Sequence, residues 1–151
     1  MTVPEIIPIM REPEYHTDTI GHWAGGQFFG SVIAAFREGD VHTDDWRSRK
    51  RWYAVLHTFD AAGHHLESRI EHTGADDDYR AAVDSAQERL NRWLDALPGL
   101  LYGDIAIRPF RHTQDGVLFG LIIETFDGEE HAEFYPNNIG FYEPWDGSYD
   151  T

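Results

Sequence analysis

Cysteine is absent from this chain. That excludes disulfides, thiolate metal sites and cysteine nucleophiles together. Lysine is almost absent: Lys50 is the only one among 12 Lys and Arg residues, which stand against 27 Asp and Glu for a formal net charge of −15. A field of that sign repels nucleic-acid phosphates and anionic membranes, so neither is expected as a partner, and it favours basic ones. Long apolar runs are missing as well. No stretch approaches the roughly 20 apolar residues that span a bilayer. The opening MTVPEIIPIMREPE has neither the basic flank nor the continuous apolar core of an export signal, so a cytoplasmic setting is expected.

What is present is a folded body. Hydrophobic residues make up 41% of the chain and aromatics 14%, enough at this length for a core without disulfide or metal staples. No internal repeat or low-complexity linker divides it, so residues 1–151 read as a single domain. Proline spacing predicts an extended N-terminal segment over residues 1–26. Strands are expected at 27–36, 51–59 and 64–71, the middle one apolar on both faces. A helix is expected over about 77–97, where Val83, Ala86, Leu90, Trp93 and Leu97 recur at steps of three and four. Asp76, Asp77 and Asp78 offer its N-terminus a cap and favourable charge. Strands at 104–112, 117–126 and 130–135 follow, joined by Asp115-Gly116 and Asp127-Gly128, both strong hairpin signals. The expected fold class is therefore α+β in the order βββαβββ: an antiparallel sheet of about six strands with one long helix on one face. An aromatic tail, 136–151, is expected to fold back on the body.

Sites are harder to find. Nine histidines are many for this length. His16 and Asp18, with His22 nearby, form a candidate metal set, and His42 and Asp44 repeat the same His-Thr-Asp spacing. Residues two apart on an extended segment face the same side and can share an ion. The competing reading is a set of solvated histidines, since the spacing matches no established zinc signature. His57, among apolar neighbours, reads as a hydrogen-bonded core residue. Glu124, ending an otherwise apolar strand, could be a buried acid with a raised pKa or simply a strand end emerging into solvent. The run Arg47 to Arg51 lies between Trp46 and Trp52. It suits anion binding by pattern but sits in a strongly acidic chain, where pairing with Asp44 and Asp45 is the simpler expectation. GGQFFG leads into a strand rather than a helix, so it does not match a phosphate loop.

Phe141, Tyr142, Glu143, Trp145 and Asp146 make the best candidate recognition patch, because aromatic anchors with an acidic rim suit a basic protein partner. The alternative is that these rings fasten the tail to the sheet.

The segments IPIMREPEYHTDTIGHWAGGQFFGSV, YGDIAIRPFRHTQDGVLFG and FYEPWDG resemble those of a group of small proteins from high-GC Gram-positive bacteria, some labelled formate hydrogenlyase regulatory protein. The resemblance spans most of the chain. It implies a regulatory role and brings no catalytic residues with it. The net charge, the lack of catalytic signatures and the aromatic tail together give the expectation of a non-catalytic acidic interaction module, immunity-like or regulatory, that binds a basic protein and needs no cofactor. The alternative is a small metal-binding protein or enzyme built on the His/Asp cluster.

Overall fold

Two Asp-Gly turns set the register of half the molecule. In the computed structural model, which describes residues 3–37 and 44–151, Asp115-Gly116 and Asp127-Gly128 all take positive φ. This is the two-residue turn whose twist matches that of the flanking strands. The first joins β8 (Phe110–Gln114) to β9 (Val117–Phe126), and the second joins β9 to β10 (Glu129–Tyr135). A short β11 (Ile139–Phe141) completes a four-stranded sheet in the order β11-β10-β9-β8.

A second sheet has five strands, in the order β5-β4-β3-β2-β6. Its members are β2 (Ile20–Trp23), β3 (Gly26–Ala35), β4 (Arg51–Phe59), β5 (His65–Ala75) and β6 (Leu101–Tyr102). A third pairing joins β1 (Ile7–Ile9) to β7 (Ile105–Ile107). The fold class is α+β with antiparallel pairing, but the expected single sheet of about six strands is incorrect. Among the described residues, eleven strands form three sheets. The segment 1–26 carries Ile7, Ile9 and Ile20, all fully buried, and burying extended backbone requires ladder partners for its polar groups. Pro109 splits the expected strand 104–112 into β7 and β8, since proline cannot donate to a ladder.

The sheets stack because their strands alternate. On one face of the five-stranded sheet, Phe28, Ala54 and Leu56 pack against Ala86, Leu90 and Leu94 of α2 (Tyr79–Asp95). On the other, Phe29 and Phe59 join Leu121, Ala132, Phe134, Ile139 and Phe141 of the four-stranded sheet. Phe29 and Phe134 stack across this interface with ring centroids 4.0 Å apart. The layers are thus helix, five-stranded sheet and four-stranded sheet.

The helix's buried stripe runs through Ala82, Ala86, Leu90 and Leu94, with Trp93 and Leu97 at its margin. It is turned slightly from the expected stripe, because Ala82 seats against Gly74 of β5. A 3₁₀ turn, Asp76–Asp78, precedes it, and no side-chain cap bond forms there. Asp76 instead accepts a hydrogen bond from Trp52 Nε1 at 2.9 Å. Trp46–Arg49 form one turn of helix, α1.

Candidate functional site

The four-stranded sheet is covered by the core on one face only, and its other face gathers chemistry. In β10, Ala132 and Phe134 point into the core, so His131, Glu133 and Tyr135 point outward. Glu124 of β9 is the cross-strand partner of His131 and shares that face. His131 Nε2 lies 3.4 Å from Glu133 Oε1 and 3.9 Å from Glu124 Oε1. The Tyr135 hydroxyl donates to both Glu124 carboxylate oxygens, at 2.7 and 2.8 Å.

The tail closes over this group. The Tyr142 ring stacks on the His131 imidazole with centroids 5.0 Å apart and planes within 14°. This leaves His131 only 7% exposed on an outward face. Gly140 makes the stacking possible: it pairs with Glu133 across β10 and β11, and a Cβ there would lie 2.9 Å from the Tyr142 ring. Burial raises the pKa of Glu133, opposed by neighbouring His131 and reinforced by the Glu124 charge. Burial and the bonded Glu124 carboxylate push the Tyr135 hydroxyl up to about 12, so it remains a donor. Burial also raises Tyr142.

Beside His131 opens a cleft of about 220 Å³ lined by Phe126, Asp127, Glu129, Glu130, His131 and Tyr142. Phe126 is 76% exposed and Tyr142 is 42% exposed, so two large rings face solvent at this one cleft. Asp127, Glu129 and Glu130 are exposed and enter no ion pair among the described residues. The cleft is acidic, aromatic and open.

The structure separates the residues of the candidate recognition patch. Phe141 is buried, and Trp145 packs against the same core beside Tyr149. Tyr149 shares a hydrogen bond with Thr17, and Gly140 and Asp150 exchange backbone bonds. Tyr142, Glu143 and Asp146 remain exposed. Some rings of the tail therefore fasten it to the body, and Tyr142 is exposed.

The candidate metal set is also divided. His16 and Asp18 border one open cleft, where Asp18 accepts from Arg11 at 3.3 Å and from the Glu14 amide. His22 lies elsewhere, with Nε2 bonded to the Asp104 carbonyl at 2.8 Å. His42 falls outside the described residues, and Asp44 is exposed. Among the described residues, the group with metal-ligand spacing is instead Glu124, His131 and Glu133, all within 4.8 Å.

The basic run is tied up locally. Arg49 bonds Asp45 at 3.0 Å, and Arg47 and Lys50 sit over the Trp46 ring. His57 is fully buried, with Nδ1 2.6 Å from Ser68 Oγ, which also meets His65 Nε2 at 2.7 Å.

Sequence reasoning singled out Glu124 and Tyr142 but missed His131 and Glu133. The available signal was the alternation of β10, where Ala132 and Phe134 mark the inward face and leave 131, 133 and 135 together outside. Among the described residues, no helix is long and apolar enough to cross a membrane. No protein-family model matches the chain, and no curated protein or solved structure matches it either.

Proposed function

We propose that this protein is a non-catalytic interaction module that captures an arginine side chain of a basic protein partner in the cleft between Phe126 and Tyr142. One observation carries the reading: two exposed aromatic rings and three exposed carboxylates converge on a cleft of about 220 Å³. A guanidinium stacks on aromatic faces while its planar fork meets carboxylates, which an ammonium does less well. The net charge of −15 adds long-range attraction and speeds encounter without fixing the pose. Glu143 and Asp146 add two exposed carboxylates on the tail. A module of this kind masks a basic surface, which suits an immunity-type or regulatory role.

The test separates seating in the cleft from general attraction. Binding of a fluorescent peptide with a central arginine among neutral residues is measured at physiological salt, beside its lysine counterpart. Tyr142→Ala and Phe126→Ala, which leave net charge unchanged, are each expected to weaken the arginine peptide about tenfold, or roughly 1.4 kcal/mol. Equal binding by wild type and both variants would mean that only the overall charge attracts the peptide.

A further inference from the structure

We propose that Glu124, His131 and Glu133 form a binding site for a first-row divalent cation such as Zn²⁺ or Mn²⁺, with Tyr135 as the residue that orients Glu124. The site adjoins the arginine cleft and shares with it His131 and the Tyr142 ring stacked on that imidazole, while its carboxylates, Glu124 and Glu133, do not line the cleft.

The geometry supports an ion at the centre of the three side chains. Ligands about 2.1 Å from one ion and set at a tetrahedral angle lie about 3.4 Å apart. The observed separations from His131 Nε2 are 3.4 Å to Glu133 and 3.9 Å to Glu124, and the three ligand atoms lie within 4.8 Å of one another. Only a small side-chain adjustment closes the set.

His131 is held ready for this. Its side chain is nine-tenths buried, clamped under Tyr142, and its Nε2 is aimed between the two carboxylates. Its other nitrogen, Nδ1, is buried without a partner. In the tautomer carrying its proton on Nδ1, the Nε2 lone pair is directed at the proposed ion. Glu124 is fixed by the Tyr135 hydroxyl through both oxygens, the outer-sphere arrangement that orients ligating carboxylates. Its side chain is still 36% exposed, leaving an entry path and room for water to complete the coordination.

Charge points the same way. Two carboxylates face one imidazole, and no Arg or Lys pairs with either among the described residues. One imidazole with two carboxylates suits Zn²⁺, Mn²⁺ or Fe²⁺ better than Ca²⁺, which takes oxygen ligands.

Titration calorimetry with zinc chloride on tag-free protein is the test, paired with Mn²⁺ broadening of ring resonances in NMR spectra. One strong zinc site is expected, with Mn²⁺ broadening His131 and Tyr142 first. The isosteric Glu133→Gln and Glu124→Gln should each lower zinc affinity at least tenfold, and Tyr135→Phe should lower it by a smaller factor. Glu130→Gln removes the same charge from the neighbouring cleft and should change it less than twofold, as should Phe126→Ala, which nevertheless weakens the arginine peptide. Zinc affinity and Mn²⁺ broadening unchanged in both Glu133→Gln and Glu124→Gln would overturn the site. So would an equal loss in Glu130→Gln, because that would reduce the effect to net charge.

Discussion

Acidification should find a specific weak point in this protein at His57. The ring is fully buried between the two large sheets, against Phe110 and Phe134, and burial pushes its pKa down from 6.5 to about 3. In the unfolded chain it regains its ordinary value. The contribution to stability is therefore complete above about pH 6.5 and is lost as pH falls toward 3, because unfolding then takes up a proton that the folded state refuses. With those two values, going from pH 7.5 to 5.0 costs about 2 kcal/mol. Other groups titrate over the same range: burial also lowers His65, and relief of the net negative charge acts in the opposite direction. Comparison with His57→Leu removes these shared contributions. Urea unfolding of both proteins at the two pH values should show the wild type losing about 2 kcal/mol more than the variant. Ser68 remains bonded to His65 in the variant, so the substitution does not orphan its hydroxyl. An identical pH dependence in the two proteins would show that His57 is not held neutral by burial.

Leu90 is 1% exposed and packs in the layer between α2 and the five-stranded sheet. Leu90→Asp should cost on the order of 3–5 kcal/mol in a denaturant melt, whereas Glu88→Ala, which loses only an exposed contact to Arg92, should stay within roughly 0.5 kcal/mol. Gly128→Ala meets no atom within 4 Å but must hold φ near 79°, so it should cost about 1 kcal/mol from the backbone alone. Gly140→Ala should displace the Tyr142 ring, whose exposed end can yield. Peptide affinity should then fall several-fold while the melting temperature changes little, as read by fluorescence anisotropy and calorimetry.

Legibility followed the kind of interaction that decides each element. The β9–β10 hairpin was readable because Asp127-Gly128 and the alternation around it are local signals. The α2 helix was readable from its spacing, although the contact between Ala82 and Gly74 that sets its rotation is tertiary. The short strands β1, β2, β6 and β11 were not readable. Each is two to four residues long and exists because a distant partner supplies its ladder, as β7 does for β1 across about a hundred residues. The same distinction applies to the sites. Spacing along the chain suggested His16, Asp18 and His22, but folding sends His22 to the Asp104 carbonyl. It brings Glu124 to His131 and Glu133 because cross-strand neighbours in a hairpin are set by register, which a list of near neighbours in sequence does not display.

The β9–β10 hairpin is a ribbon one residue thick with two unrelated tasks on its two sides. Leu121, Ala132 and Phe134 fill the interior; Glu124, His131, Glu133 and Tyr135 make up the opposite side. The outward positions lie on the opposite side from the inward set, so the proposed site can be varied by substitution without changing the residues that fill the interior. Deleting one residue within either strand is a different event, because it exchanges the two sides and puts carboxylates where phenylalanine and leucine belong. This hairpin should therefore accept a wide range of exchanges on its outer side while accepting no change in length between its turn and its far ends.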